Sequence, residues 1–300
     1  MNKSFYNVIF FLTIVYICFV SFFLFWHRVG FSPDQFFAVA LLITLLLGRM
    51  KQFVRDWSVP VTLFLSYDYL RGLVPKLSLQ VNIHPMINFD KYIFGAVPTN
   101  QLQNLLFSQA GVHWYDYLAT VLYMSHFVVP MVLAFLFWLK NKKYFEEYTL
   151  SLIILSYSAF ITYVLFPAMP PWMASQQGFI PQVHKVMDRV FISFPTPIDL
   201  PSVYRFMGAN LVAAVPSLHA AYPWLTFLFV MKRFKRAGLL VLLYVLGVWF
   251  SIVYLGEHYI FDILIGVLYA TLIFMLVING AKIWKKLNLK SLYPKKQIIS

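Results

Sequence analysis

Long apolar runs are the feature that most constrains the fold of this chain. Hydrophobic residues make up 61% of its 300 residues and charged residues only 12%, whereas soluble domains are nearer half apolar and a quarter charged. A water-soluble fold cannot bury so much apolar surface, so the lipid bilayer must be the main solvent. Helices satisfy their own backbone groups in lipid, and the sequence therefore predicts an all-α integral membrane protein.

Eight apolar runs are candidate transmembrane helices, because each approaches the roughly 20 residues that a span needs. They cover residues 5–26, 35–49, 57–75, 116–139, 147–167, 211–231, 237–256 and 259–281. No small-residue cleavage site follows the first run, so we interpret it as a retained helix and not as a signal peptide. The second run is short and ends at Arg49, so a re-entrant segment is its alternative.

Lysine and arginine are distributed unevenly between the loops. If the N-terminus is cytoplasmic, most of the 24 basic residues fall in cytoplasmic segments. The outer side then keeps Arg28, Arg71, Lys76, Lys91, Lys185, Arg189 and Arg205. This bias follows the positive-inside rule and predicts that both termini are cytoplasmic. A bacterial-type plasma membrane is the expected location.

The runs and loops predict a three-part organisation. Residues 1–56 hold two N-terminal helices, residues 57–281 hold a membrane domain of six helices, and residues 282–300 form a basic cytoplasmic tail. The outer loop 76–115 contains amphipathic stretches that are expected to lie in the membrane interface. The outer loop 168–210 is rich in proline, and long ordered loops are often functional.

A motif at the start of the sixth run predicts a histidine at a helix N-terminus. The motif is Pro-Ser-Leu-His-Ala and contains Ser217 and His219; proline and serine are favoured where helices begin. Free N–H groups and the positive end of the helix dipole would then face the outer surface, where a phosphate can bind. An interfacial histidine after a helix cap is the alternative.

A histidine and an aspartate, His258 and Asp262, open the eighth run. Their spacing of four residues predicts one helix face, and a carboxylate inside an apolar helix is costly and usually functional. An adjacent carboxylate holds an imidazole in one tautomer and makes its other nitrogen a better nucleophile or base. A structural His–Asp pair is the alternative. Because the span count puts His219 at the same outer face, the three residues predict double displacement at phosphorus.

These motifs resemble the type 2 phosphatidic acid phosphatase superfamily, and their variants are similar to its inositol phosphorylceramide synthase branch. The segment Phe-Pro-x-x-Pro-Pro-Trp, which ends at Trp172, resembles the same branch. The resemblance covers about residues 57–280 and implies a six-helix bundle with its active site at the outer helix ends. It implies that His258 is a nucleophile that forms a phosphohistidine, that Asp262 orients it, and that His219 is the acid and base. The implied activity moves a phosphorylated headgroup, such as phosphoinositol, between lipids.

The chain departs from the phosphatase branch in its cationic motifs. The Lys-x6-Arg-Pro motif of that branch is not evident here, and Ser251 is followed by Ile252 where that branch has arginine. A phosphoryl-transfer site still needs cationic donors, because negative charge spreads over the equatorial oxygens. The outer basic residues are the candidates for this role.

Four residues are expected to bind substrate. Arg71 lies near the outer end of the third run, where an ion pair with Asp68 is its alternative, and Arg205 precedes the Pro-Ser-Leu-His helix by a few residues. Ser217 and Trp172 complete the set. For Trp172 the alternative is membership of an interfacial aromatic belt.

Two other functions remain open at this stage. The same residues could hydrolyse a lipid phosphate or a polyprenyl pyrophosphate, with water as the acceptor. A transporter or channel is the alternative of another class, but the polar residues gather at one face and no inverted repeat is visible. We expect lipid substrates, no cofactor, no metal and no nucleic acid. The sequence leaves the donor headgroup, the acceptor lipid and the oligomeric state open.

Overall fold

The computed structural model describes residues 33–74, 80–193 and 210–292, so the predicted first span lies outside it. The described residues form helices and contain no β-strand. In chain order these are α1 (Pro33–Leu46), α2 (Met50–Arg71), α3 (His84–Phe94), α4 (Pro98–Leu106), α5 (Trp114–Lys140), α6 (Lys142–Leu165), α7 (Pro171–Gln176), α8 (Val186–Ser193), α9 (Leu218–Phe234), α10 (Ala237–Tyr254) and α11 (Ile260–Leu292). The predicted all-helical class is confirmed for this part of the chain.

Three of the described helices are long and apolar enough to cross a membrane. They are α5, α6 and the part of α11 that covers Ile260–Gly280, and Gly238–Tyr254 in α10 is a shorter apolar helix. All four coincide with predicted runs. Asp116 and Asn141 show why α5 and α6 begin where they do: the Asp116 carboxylate accepts the His113 N–H at 2.8 Å, and the Asn141 side chain accepts the Tyr144 N–H at 3.2 Å. Each bond satisfies an amide at a helix start.

Some helix boundaries differ from those predicted. The third run was expected to begin at residue 57, but α2 begins at Met50. Its first turns bury Met50, Phe53 and Trp57, while Lys51 and Arg55 stay exposed. The sixth run was expected from residue 211, but α9 begins at Leu218. α11 continues to Leu292, into the segment predicted as a tail.

Six helices form the bundle that carries the site. α9 lies at its centre and packs against α5, α6, α10 and α11, while α2 packs on α6. Three short helices lie outside the bundle: α3 packs on α11, α4 on α10 and α8 on α5.

Hydroxyl groups join the helices inside the bundle. Tyr222 on α9 hydrogen-bonds Ser156 on α6 at 2.7 Å, and Tyr148 bonds Thr226 at 2.7 Å in the same helix pair. The Tyr163 hydroxyl, also on α6, donates to the carbonyl oxygen of Pro216 at 2.9 Å. Such bonds link helices where apolar burial alone gives little preference in lipid. They hold α6 along the length of α9, up to the start of that helix.

The side of α10 that faces away from the bundle carries a stripe of exposed apolar side chains. Leu239, Leu243, Leu246 and Phe250 recur at helical spacing on this face. In water such a stripe would be an association surface. In a membrane protein it is the surface that contacts the acyl chains, so the bundle presents its apolar side chains outwards as well as inwards.

Three loop segments join at the end of the bundle where α9 and α11 begin. The Asn82 N–H donates to Pro167 O at 2.8 Å, and the Ala168 N–H donates to Val212 O at 2.8 Å. Ala168 forms isolated bridges with both Asn82 and Ala213. Ala168 therefore lies between the other two segments and fixes the chain before α9 at Val212 and Ala213.

Candidate active site

The Pro-Ser-Leu-His motif forms the start of α9, as predicted. Ser217 is the N-cap, and its hydroxyl accepts the Ala220 N–H at 3.3 Å. His219 follows in the first turn, where backbone N–H groups face the end of the bundle. The Ser217 side chain is fully buried. In this structure its hydroxyl caps α9 and is not open to a substrate.

The His258 motif has a different local structure from the one expected. The sequence predicted His258 and Asp262 on one helix face, but α11 begins at Ile260, and His258 lies in the turn before it. The N–H groups of Glu257 and His258 both donate to Ile252 O at 3.1 Å. This tight turn requires Gly256, which has a φ of 85° that only glycine adopts without strain.

The two motifs are joined through their backbones. The Ser217 N–H donates to the carbonyl oxygen of Asp262 at 3.1 Å. One helical turn further on, Gly266 allows α11 to approach α9 closely, because a Cβ there would lie 2.5 Å from Ser217 O. The start of α9 and the first two turns of α11 are therefore in direct contact.

This contact places the three predicted catalytic residues in a row. Nδ1 of His219 lies 3.0 Å from Nε2 of His258, and Nδ1 of His258 lies 3.1 Å from Oδ2 of Asp262. Asp262 is fully buried, and its Oδ2 also accepts the Tyr259 N–H at 2.9 Å. An ionised carboxylate only accepts hydrogen bonds, so Nδ1 of His258 carries the hydrogen and Nε2 keeps its lone pair. With Asp262 ionised, the row therefore directs the lone pair of His258 Nε2 towards the His219 imidazole.

A carboxylate from outside the bundle supports the start of α11. Oδ2 of Asp90, on α3, accepts the Ile260 N–H at 3.0 Å, and its Oδ1 accepts the Phe261 N–H at 3.1 Å. Burial raises the pKa of Asp90 to about 6, and the two backbone hydrogen bonds oppose that rise. Asp90 thus caps the helix that carries Asp262. The sequence analysis missed it, although it is the acidic residue of an otherwise apolar amphipathic stretch.

Two residues of α5, also missed from the sequence, hold the His219 ring. Tyr123 stacks on His219 with ring centroids 4.4 Å apart, and the His126 ring centroid lies 4.0 Å from that of His219. Nδ1 of His126 donates to the Tyr123 carbonyl oxygen at 2.6 Å, which fixes the orientation of this third imidazole. The available signal was a histidine inside an apolar span, which indicates a functional position by default.

Arg71 is the predicted cation that lies within the described residues, in the last turn of α2. Its guanidinium forms an ion pair with Asp68 at 2.8 Å, the alternative foreseen from the sequence. Arg205, the second predicted cation, lies outside the described residues.

Trp172 and Lys185 lie beside the two residues that precede His258, Gly256 and Glu257. The Trp172 N–H, at the start of α7, donates to Gly256 O at 3.0 Å, and Lys185 Nζ lies 4.6 Å from the Trp172 ring centroid. Lys185 Nζ also lies 3.9 Å from Oε1 of Glu257, the residue before His258. Within the described ranges, no group of three or more His, Cys, Asp or Glu side chains has the geometry of a metal site.

A family model and two known proteins match most of this chain. The family model described as the PAP2 superfamily matches residues 95–276. A phosphoinositol dihydroceramide synthase from Bacteroides thetaiotaomicron is 28% identical over 257 residues, which cover 80% of this chain and 82% of that protein. The catalytic subunit of an inositol phosphorylceramide synthase from Schizosaccharomyces pombe is 24% identical over 84% of this chain and 58% of its own length.

No solved structure matches the chain at a significant level. The match to the family model includes α9, the His258 turn and most of the membrane-crossing part of α11, so it covers all three residues of the row. The resemblance seen in the motifs is therefore confirmed over more than half of the chain, and the relatives that match it include a phosphoinositol dihydroceramide synthase. The protein belongs to the PAP2 superfamily.

Proposed function

We propose that this protein transfers phosphoinositol from an inositol phospholipid to the hydroxyl group of a ceramide-type lipid. The observation that carries the proposal is the hydrogen-bonded row of His219, His258 and Asp262 at one end of the bundle. Both relatives are synthases of inositol phosphoceramides, which supports the choice of headgroup and acceptor.

In the first half-reaction His258 is the nucleophile. Its Nε2 attacks phosphorus, a P–N bond forms, and the P–O bond to diacylglycerol breaks. His219, in its protonated form, gives its proton to the departing diacylglycerol oxygen. Asp262 holds the His258 ring and balances the positive charge that the ring gains on attack, as the buried carboxylate of a catalytic triad does.

In the second half-reaction the acceptor replaces His258. The acceptor hydroxyl gives its proton to neutral His219 while its oxygen attacks phosphorus. The P–N bond breaks, and the electron pair returns to Nε2 of His258. His219 ends protonated and ready for another cycle, so the two steps balance without a cofactor.

Charge on the phosphoryl oxygens needs donors close to the two imidazoles. We assign Arg71 to this role, because it lies in the last turn of α2, at the predicted outer end of the third span, and its side chain is 31% exposed. The backbone N–H groups at the Ser217-capped start of α9 are a second source of hydrogen bonds. Arg205 and Trp172 stay in the proposal as substrate-binding residues on the strength of their sequence positions.

We further propose eight spans with cytoplasmic termini and an extracytoplasmic active site in a bacterial-type plasma membrane. The support is the charge bias of the loops, since the outer side keeps few of the 24 basic residues. In this arrangement residues 1–56 precede the six-helix catalytic domain at 57–281, and residues 282–300 belong to the cytoplasmic side. The donor headgroup would then be taken from the outer leaflet.

The direct test is transfer by the purified full-length protein in vesicles that contain inositol-labelled phosphatidylinositol and dihydroceramide. We expect labelled phosphoinositol dihydroceramide by mass spectrometry, and none from His258→Ala or His219→Ala. His84→Ala, which changes an exposed histidine on α3, is the matched control and should retain activity. Release of free phosphoinositol without the lipid product would identify a hydrolase. Full activity of His258→Ala would remove the phosphohistidine step.

A further inference from the structure

α3 is a helix of 11 residues that packs on α11, at the end of the bundle where α9 and α11 begin. Its length of about 16 Å is too short to cross a bilayer. One of its sides is buried, since Met86, Ile87 and Asp90 are at most 2% exposed. Met86 and Ile87 belong to the same buried apolar cluster as Tyr259, the residue after His258. The buried side of α3 therefore packs against the start of α11.

The last turn of α3 is exposed and largely apolar. Tyr92, Ile93 and Phe94 are 87%, 53% and 44% exposed, and Lys91 beside them is also exposed. In water, adjoining apolar side chains of this size favour association. Tyrosine and lysine each combine an apolar body with a polar tip, and tyrosine is enriched where a membrane meets water. This composition indicates contact with the headgroup region of a bilayer.

The exposed turn adjoins a surface of α11 that faces lipid. The Phe89 ring of α3 contacts the Phe261 ring of α11, with centroids 5.1 Å apart. From Phe261, exposed Leu264 and Leu268 follow at helical spacing along the membrane-crossing part of α11. Such side chains contact acyl chains. α3 lies where this surface ends, which is the level of the lipid headgroups.

A second copy of the chain is the competing occupant of this turn. A standard protein interface buries roughly 800 Å² per partner, whereas one aromatic side chain supplies about 150–250 Å² even when it is fully buried. Tyr92, Ile93 and Phe94 are already partly covered, so together they fall short of that area. A bilayer sets no such minimum, because it surrounds the bundle on every side. The lipid interface is therefore the occupant that this surface fits.

α3 is also bonded to the segment that carries the proposed nucleophile. Oδ2 of Asp90 accepts the Ile260 N–H at 3.0 Å, and Oδ1 accepts the Phe261 N–H at 3.1 Å. These two amides lie between His258 and Asp262 in the chain. The position of α3 is therefore passed to both residues through hydrogen bonds to the first turn of α11.

We propose that α3 is an interfacial anchor. Its exposed turn, formed by Tyr92, Ile93 and Phe94, binds the phospholipid headgroup region, and Asp90 fixes His258 at that depth. Lipid phosphates lie at the same level, so the nucleophile reaches phosphorus without drawing the lipid out of the bilayer. The lipid contact stands by itself, whereas its effect on turnover rests on the proposed transfer reaction.

Fluorescence quenching tests the lipid contact. The single cysteine, Cys18, is replaced by serine, and Tyr92→Cys is labelled with a fluorophore in the full-length protein in phosphatidylcholine vesicles. Spin-labelled lipids carry the quencher either at the headgroup or in the middle of the acyl chain. We expect the headgroup label to quench more strongly at position 92. The reverse is expected for Leu268→Cys, the reference in the membrane-crossing part of α11.

A paired replacement tests the effect on turnover. Tyr92→Ser combined with Ile93→Ser should lower the rate of transfer about tenfold in vesicles, because the reacting groups are misplaced in depth. The rate in detergent micelles should change little, since micelles hold lipids at no fixed depth. Leu239→Ser combined with Leu240→Ser is the matched control. These side chains are 60% and 72% exposed and lie at the opposite end of the bundle.

The outcomes separate the anchor from the reaction. Quenching at position 92 by a water-soluble quencher alone would overturn the anchor, and so would Tyr92→Cys disulfides between copies without quenching by lipid. An unchanged transfer rate of the serine variant in vesicles would overturn the control of depth by α3, as would an equal loss in vesicles and micelles. Headgroup quenching in a protein that makes no phosphoinositol lipid would keep the anchor and overturn the reaction.

Discussion

Ser217 and Asp262, far apart in the chain, are joined by a hydrogen bond from the N–H of one to the carbonyl oxygen of the other, at 3.1 Å. Each residue lies beside a catalytic histidine of the proposed mechanism. The distance between the two imidazoles is therefore set by backbone contact between α9 and α11, which is less variable than contact between long side chains. Substitutions along this contact should change catalysis without touching either histidine.

Gly266→Ala is the sharpest test of that contact. An added Cβ would lie 2.5 Å from Ser217 O, so α11 must move away from α9. We expect kcat to fall about 100-fold, as small misplacements of reacting groups do, with destabilisation of roughly 1–3 kcal/mol from overpacking. Gly280→Ala is the control, because a Cβ there meets nothing within 4 Å. Wild-type kcat in Gly266→Ala would show that the spacing of the helices is not limiting.

Asp262→Asn tests the role of the buried carboxylate. The amide keeps the size of the side chain but removes the negative charge beside Nδ1 of His258. The imidazole is then no longer held in the tautomer that leaves the lone pair on Nε2. By analogy with other carboxylate–imidazole pairs, we expect kcat to fall by roughly 10³–10⁴-fold. The readout is the rate of transfer together with acid-labile phosphohistidine trapped by rapid quench. Normal trapping with slow turnover would assign Asp262 to the second half-reaction only.

His126→Ala tests whether the third imidazole positions His219. Its ring centroid lies 4.0 Å from that of His219, so its removal leaves the acid–base residue free to rotate. We expect kcat to fall about tenfold or more, with a smaller change in KM. Tyr123→Phe keeps the ring that stacks on His219 and serves as the matched comparison. A pH–rate profile identical to that of the wild type, at unchanged kcat, would contradict a positioning role.

The titration of Asp90 makes the free energy of unfolding depend on pH. Its pKa of about 6 in the folded protein lies above the ordinary value of 3.8, so the folded state holds this proton more tightly than the unfolded state does. The contribution of Asp90 to stability is therefore complete below pH about 4 and is lost as the pH rises through about 6.

Asp90→Asn removes that titration. The difference in Tm between the wild type and Asp90→Asn should become less favourable to the wild type between pH 4 and 6 and then level off. Thermal unfolding in detergent across this range is the measurement. A Tm difference that does not vary with pH, or that moves in the opposite sense, would show that Asp90 does not titrate near 6.

Much of this architecture could be predicted from the chain alone. Apolar runs predicted four of the main helices because span length is a strong physical requirement, and the cap at Ser217 followed from local preference. Pairing of His258 with Asp262 was also predicted, although the histidine lies in a turn and not on the helix. Local rules therefore identified the residues more reliably than their backbone conformation.

The supporting residues could not be predicted in the same way. Asp90 caps a helix 170 positions away, and no periodicity connects the two segments. Tyr123 and His126 meet His219 only after α5 and α9 have packed together. The chain has 12 glycines, and nothing in the sequence around Gly266 marks it as the one where two helices approach closely. Long-range packing created these relationships, so the sequence pattern of any one segment does not contain them.

The hydrogen bond between His219 and His258 has one further consequence for an enzyme that works beside water. His219 Nδ1 and His258 Nε2 are hydrogen-bonded to each other, so in the substrate-free protein the proposed acid covers the proposed nucleophile. In the proposed mechanism the phosphodiester must therefore separate the two rings before Nε2 can attack phosphorus. Substrate binding and exposure of the nucleophile would then be the same event.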